Sequence, residues 1–443
     1  MRTGERERRW YPLDNAARIF PSIASADFPT VFRLSATLDR PVSIGTMQNV
    51  TGEMARRFPY FRVTLRRGFF WYYLEERSGP FPVTADLQAP CSREPHVRRN
   101  PEVLRILVRG NRIAVEFSHI LTDGAGAREF FRSLILEYLI RRESLDRVRV
   151  TGQAREMGIL VTDDVARECE TEYSYRRFYS PHLPKPLHQI PAWHLPGPRL
   201  NHRRYHVTTL IYDVPEVKTA AKRLGVAMTE YLIAVFLFAF QTVYESVPSE
   251  RGRRNRKSYR PLRILVPVDL RTAEGSRTLR NFFVFLLVEL DIRLGHYELA
   301  EIAHKVHHQM GSEMDSRNLR RHVTRNVKPE RNFVLKMVPV FLKDAILRAA
   351  YRRSGERVNT ASFSNLMSLR FPADVEGHIH HVDFLPPPSP VTGTNATMVS
   401  IGSTLSVSFG SRMKEHAVER AVAQSLHHDG LRGKVITNWG WEE

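Results

Sequence analysis

Two strand-length runs, 103–109 and 112–118, flank the dipeptide Gly110-Asn111, and this unit constrains the chain more than any other. Both residues tolerate positive φ, so the pair suits a two-residue hairpin turn. Along the second run Ile113, Val115 and Phe117 fall on one face, and Glu116 and Ser118 on the other. His119 continues the odd-numbered series and is predicted on the apolar face, where the strand ends. Asp123-Gly124 supplies a turn. After it Ala127, Phe130, Phe131, Leu134, Ile135, Tyr138 and Leu139 recur at the helical period. Asp123 stands at the start of that helix, where a negative side chain is favoured.

At 443 residues the chain is too long for one simple core. Two or three domains, or two halves sharing a large interface, are expected. Apolar residues make up 42% of it, enough for a folded interior. Two cysteines, Cys91 and Cys169, read as free thiols of a reducing compartment. The opening Met1-Arg2-Thr3-Gly4-Glu5-Arg6 leads into no apolar segment, so no signal peptide is read and a cytoplasmic location is expected. The longest apolar runs, 231–240 and 282–288, fall short of the roughly 20 residues a membrane span needs.

The net charge of +19 favours anionic partners such as nucleic acid, anionic lipid or a phosphate-bearing cosubstrate. No zinc finger, aromatic RNA-binding motif or basic zipper accompanies it, so nucleic acid is not expected. The densest basic run, 251–260, reads as a loop between a helix and a strand. Prolines 181, 184, 186, 191, 196 and 198 exclude helix and strand interior and suggest a crossover. The division is therefore 1–180, a crossover over 181–203, and 204–443. Beyond the crossover, strands are predicted over 204–214, 262–268, 282–291, 360–368, 382–385, 398–402 and 404–409. Helices are predicted over 215–224, 229–244, 297–314, 333–351 and 416–426. The 333–351 pattern mixes an apolar face with Lys336, Lys343, Arg348, Arg352 and Arg353, so it suits either solvent or peripheral contact with a membrane surface.

A neutral imidazole facing a cavity from a strand end is a good general base near neutral pH. Competing chemistries lack their marks. There is no Gly-x-Ser-x-Gly elbow, no phosphate loop, and no base signal beside Cys91 or Cys169. His304, His307 and His308, and His378, His380 and His381 with Asp383, have spacings zinc could use. They come without cysteine or a His-Glu-x-x-His pattern, and no metal is expected.

His119-Ile120-Leu121-Thr122-Asp123-Gly124, after a strand and before a helix, resembles the His-x-x-x-Asp-Gly signature of the chloramphenicol acetyltransferase-like, coenzyme A-dependent acyltransferases. Tyr11-Pro12-Leu13-Asp14-Asn15-Ala16-Ala17, Arg57-Phe58-Pro59 and Gly68-Phe69-Phe70-Trp71-Tyr72-Tyr73-Leu74 resemble the opening of bacterial alcohol acetyltransferase-like proteins. Val266-Pro267-Val268-Asp269-Leu270-Arg271, Leu279-Arg280-Asn281-Phe282 and Phe363-Ser364-Asn365-Leu366 extend the resemblance through the second half. It implies a mixed α/β fold of two sandwich-like halves with a tunnel between them. It also implies an alcohol O-acetyltransferase type of activity. His119 would remove the acceptor's proton for direct attack on an acyl-coenzyme A thioester. Acyl-CoA, acetyl-CoA above all, would be a cosubstrate and not a tightly bound cofactor. Asp123 and Gly124 would support the site, with Arg271 the candidate partner of Asp123. Ser364, Asn365 and Asn281 would be candidates for substrate or oxyanion contacts. The acceptor would be a small-molecule alcohol or amine, and the protein a monomer. Residue 118 is Ser, so the doubled His of condensation domains and wax-ester synthases is missing, which weakens the reading of a carrier-protein thioester as donor. The Asp-Phe-Gly-Trp-Gly segment of the plant branch is also absent. A catalytically silent binding module of the same fold is the remaining alternative.

Overall fold

The computed structural model describes residues 9–25, 28–92, 102–180, 182–183, 189–201, 204–247, 259–331 and 336–438. The basic run at 251–258 and most of the prolines of the crossover's first part lie outside them.

The hairpin forms as β6 (Leu104–Arg109) and β7 (Arg112–Ser118), with Arg109 opposite Arg112. Only Gly110 takes positive φ, at 57°. Asn111 instead donates its side-chain amide to the Leu38 carbonyl at 2.6 Å. That carbonyl ends β2 (Val31–Leu38), which pairs antiparallel with β7. The sheet runs β12-β2-β7-β6-β5, where β5 is Val83–Ala85 and β12 is Ile379–Leu385. The helix Gly124–Arg142 covers its apolar face: Phe130, Phe131, Leu134 and Ile135 are fully buried with Ile113, Val115 and Phe117. The other face is polar and also closed. Arg33 bridges Asp86 and Glu116, Arg105 pairs with Glu116, and Arg112 pairs with Asp383 at 3.2 Å. Buried charges persist because each has a partner.

A second core surrounds the helix Met228–Ser246, whose Phe236 and Phe240 lie beneath a seven-stranded sheet. Its order is β10-β9-β11-β13-β14-β8-β15. These are Phe283–Leu290, Leu262–Asp269, Ala361–Leu369, Thr394–Ile401, Thr404–Ser411, His206–Asp213 and Lys434–Thr437. A small sheet of β1 (Trp10–Pro12), β4 (Tyr72–Glu76) and β3 (Val63–Arg67) joins the first half.

Two expectations need correction, and one helix was not expected. The division at 204 fails for β12, which leaves the second half and completes the edge of the first half's sheet beside β2. Val382 and Phe384 enter the first core, and an otherwise open edge is paired. The helix expected over 333–351 is interrupted: Lys336 and Met337 are helical, the chain breaks at Val338-Pro339, and a new helix runs Val340–Ser354, because Pro339 cannot continue a preceding turn but is suited to a helix start; 332–335 lie outside the described residues. A helix at Ser316–Val327 had no counterpart in the pattern reading. Its apolar stripe is only Leu319, Val323 and Val327, and the arginines between them mask the period. Among the described residues no single helix is long and apolar enough to cross a membrane.

Candidate active site

His119 begins the turn that follows β7. Its N–H donates to the Thr30 carbonyl at 3.0 Å, and its carbonyl accepts from Asn281 Nδ2 at 3.1 Å. The backbone is thus pinned from both sides. The ring stacks on Phe20, with centroids 5.2 Å apart, and lies 4.6 Å from Phe32. Nδ1 is enclosed and, among the described residues, has no partner within hydrogen-bond geometry, although the Thr122 backbone lies against the ring. Burial among these rings disfavours the imidazolium and, against the opposing backbone of Thr122, lowers the pKa to about 4. The ring is therefore neutral near pH 7.

Asp123 is occupied elsewhere. Its Oδ1 accepts from Gly126 N at 3.0 Å and caps the helix. Arg271 grips both oxygens, Nη2 to Oδ1 at 2.9 Å and Nη1 to Oδ2 at 3.0 Å, and Phe282 N donates to Oδ2 at 2.7 Å. Among the described residues no hydrogen bond joins Asp123 to the His119 ring. Burial works against the charge of Arg271, but Asp123 and Asp269 outweigh it and hold its pKa above the ordinary value. Two-pronged ion pairs of this kind fix geometry as well as charge. This one joins the helix start in the first half to the loop after β9 in the second.

Glycine is required two residues further on. A Cβ at Gly126 would come within 2.2 Å of the Leu279 carbonyl and of Thr122 Oγ1, which are themselves hydrogen-bonded at 2.6 Å. At Gly124 the nearest obstacle is the Leu366 side-chain tip, at 3.2 Å. Asn281 is buried and does not reach the cavity. Besides holding His119, it donates to Asp14 Oδ2 at 3.0 Å. Asp14 is buried, and its pKa is raised by desolvation, with Arg280 opposing. Tyr60 donates to the Leu121 carbonyl at 2.8 Å. The fully buried Arg57 holds Glu170 at 2.8 and 2.7 Å, and the Glu170 carbonyl accepts from Leu279 N at 2.7 Å.

Between the halves lies a cavity of about 1640 Å³. Phe20, Phe32, His119 and Gly124 line it from the first half, and Leu265, Phe283, Phe285, Ser364 and Leu366 from the second. Pockets for one small molecule run to roughly 300–1,000 Å³, so this one has room for two reactants. Ser364 faces it from β11, opposite Thr397 of β13. Asn365 has its amide engaged at both ends: Nδ2 donates to Thr229 Oγ1 at 2.8 Å and Oδ1 accepts from Met367 N at 2.7 Å. It braces a bulge in which Met367 takes a φ of 69°. Arg321, Arg325 and Lys336 also border the cavity.

The histidine clusters find other partners. His304 meets the Leu224 carbonyl at 3.1 Å, His307 meets Glu230 at 3.0 Å, and His378 meets Asp39 at 2.8 Å. Sequence reasoning overlooked Asp14, Phe20, Phe32, Thr122 and Gly126. Only Asp14 and Thr122 lay within segments already singled out.

No family model and no curated protein matches the chain. Solved structures do. TRI3 trichothecene 15-O-acetyltransferase from Fusarium sporotrichioides matches at 11% identity, over 97% of each chain, with a TM-score of 0.57. TRI101 of the same organism, complexed with coenzyme A and T-2, matches at 11% identity over 96% of this chain and 99% of that one, TM-score 0.56. The first condensation domain of the CDA synthetase matches at 14% identity over 94% and 95%, TM-score 0.54. At such identities the likeness speaks for architecture alone. The chain has the mixed α/β, two-halved fold of the acyltransferases and condensation domains.

Proposed function

We propose that this protein transfers an acyl group, most simply acetyl, from acyl-coenzyme A to the hydroxyl of a small-molecule alcohol, with His119 as general base. One observation carries the reading: a neutral imidazole, with no carboxylate partner among the described residues, stands at the wall of a two-reactant cavity at the seam of this fold. With Nδ1 enclosed, Nε2 is the nitrogen left to the cavity. It takes the proton of the hydroxyl as the oxygen attacks the thioester carbonyl. The tetrahedral intermediate expels the thiolate, which receives that proton and leaves as free coenzyme A. A thioester is already activated, so base, orientation and one oxyanion donor suffice. Ser364 is the candidate donor. Arg321, Arg325 and Lys336 suit the phosphates of the donor.

Ser118 in place of a second histidine favours free acyl-CoA over a carrier-bound thioester. The test is release of free thiol from a series of acyl-CoAs offered with alcohols and amines. Alcohol-dependent release supports the reading, and amine-dependent release redirects it to amide formation. Silence across the panel from folded protein replaces it with a ligand-binding role.

A further inference from the structure

The helix Val340–Ser354 packs on the short helix Phe20–Ile23 but leaves an apolar face uncovered. Phe341 and Ala345 form one row of that face, and Leu342 and Ile346 the next, at the i, i+4 spacing. The hairpin tip between β3 and β4 extends the patch. The Phe69 carbonyl accepts from Val340 N at 2.9 Å, and the Phe70 carbonyl accepts from Lys343 Nζ at 2.8 Å. Phe69, Phe70, Met337, Phe341, Leu342 and Ile346 are 42–69% exposed. Single exposed apolar residues are ordinary, but six large ones on the hairpin tip, the helix and the Met337 turn before it mark an interaction surface.

The surroundings identify the occupant. Arg67, Lys336 and Arg348 are exposed around the patch. Asp344, the acid on the same helix, is turned inward onto Ser22 at 2.8 Å and Tyr72 at 2.9 Å and pairs with Arg67 at 3.6 Å, so the cationic rim rests on Lys336 and Arg348. Aromatic side chains within a cationic rim match the interface of an anionic bilayer. The patch also borders the cavity: Phe70 and Ile346 belong to both, and Lys336 of the rim and the buried Lys343 line the cavity beside them. From this we infer that the face formed by Phe69, Met337, Phe341 and Leu342 docks on an anionic lipid surface, with the cavity mouth against the membrane. An apolar acceptor then enters from lipid without crossing water. That last consequence rests on the acyl-transfer reading, whereas docking does not.

The experiment is co-sedimentation of the full chain with vesicles. One set is phosphatidylcholine alone and the other is equal parts phosphatidylcholine and phosphatidylglycerol. The wild type is expected to bind the anionic vesicles, less so as salt is raised. Phe69→Ser/Phe341→Ser is expected to bind at least about tenfold more weakly, since each ring removes apolar area from the lipid contact. Neither ring lines the cavity, so melting and turnover of a short soluble alcohol stay as in the wild type. Binding that is absent, or equal in both proteins, overturns docking. So does a lipid-free dimer of the wild type that the double substitution dissociates, because the patch is then covered by a second copy. Thiol release with no alcohol at all would sink the acyl-transfer reading while leaving the vesicle result to stand.

Discussion

Asp123→Asn separates a supporting carboxylate from a catalytic one. The native group accepts four hydrogen bonds, two from Arg271 and one each from Gly126 N and Phe282 N, at 2.7–3.0 Å. An amide keeps one accepting oxygen and turns its NH₂ toward donors. Breaking a buried ion pair by removing one partner costs about 3–5 kcal/mol. Arg271 retains Asp269 at 2.7 Å and the Thr278 carbonyl at 2.7 Å, which places the loss near the lower end, about 3 kcal/mol. With an unfolding entropy of roughly 2.1 cal/mol/K per residue, that is a fall in Tm of about 3 °C if all 443 residues melt together. It becomes about 8 °C if a first half of about 180 residues melts alone. Scanning calorimetry reads the shift, and thiol release reads a moderate drop in kcat as His119 loses its support. A variant with unchanged Tm and a roughly 10⁴-fold lower kcat would refute the reasoning, since that is how a direct partner of the histidine behaves.

Other expectations follow from the same geometry. His119 is held at a pKa of about 4 against 6.5 in the unfolded chain, so the unfolded chain binds more protons between those values and stability falls as pH drops through that window. The base stays neutral there, and kcat/KM should be flat from pH 8 down to about 5, with its acid limb near 4; a limb near 6.5 would contradict the burial argument. Gly126→Ala should lower the urea midpoint by the equivalent of about 2–3 kcal/mol and Gly124→Ala by under about 1 kcal/mol, because the first meets backbone and the second a movable side-chain tip. Glu356 borders the cavity, and burial raises its carboxyl to about 7 against hydrogen bonds from Ser389 and Tyr351 and the charge of Arg199. Its protonated form is the one the fold prefers, so its contribution is present below about pH 4.5 and lost as pH rises through 7. Glu356→Gln should raise Tm at pH 8 and leave it unchanged at pH 4; an equal fall at both would show that the carboxyl is needed only for its hydrogen bonds.

Much of the fold was legible because its elements carry strong periods. The Gly110-Asn111 hairpin, the helix beginning at Gly124 and the buried helix Met228–Ser246 each announce themselves within a short window. Long-range membership did not. Nothing local in Ile379–Leu385 says that it will pair with β2 rather than with its sequence neighbours. Pro339 interrupts a pattern that composition alone would carry through, and arginines hide the stripe of Ser316–Val327. The site divides in the same way. His119, Asp123 and Gly124 are adjacent in sequence, and Arg271 and Asn281, about 150 positions on, are brought to them in space. Asp14 was hidden because a buried acid in a loop has no period. Gly126 was hidden because its need arises from the Leu279 carbonyl, a backbone atom of the other half. Phe20 and Phe32 looked like ordinary core residues, yet their packing on His119 sets its charge state.

The most direct measurement is kcat for His119→Ala beside the wild type, by thiol release from acyl-CoA with an accepted alcohol, each protein checked by circular dichroism and melting. General base catalysis contributes about 10²–10⁴-fold, so a loss of that size in a normally folded variant is predicted. The backbone of His119 is held by Thr30 and Asn281 whether or not the ring is present, and the melting measurement reads what loss of its packing on Phe20 and Phe32 costs. Turnover close to that of the wild type, in an equally stable variant, would contradict the assignment of His119 as the base.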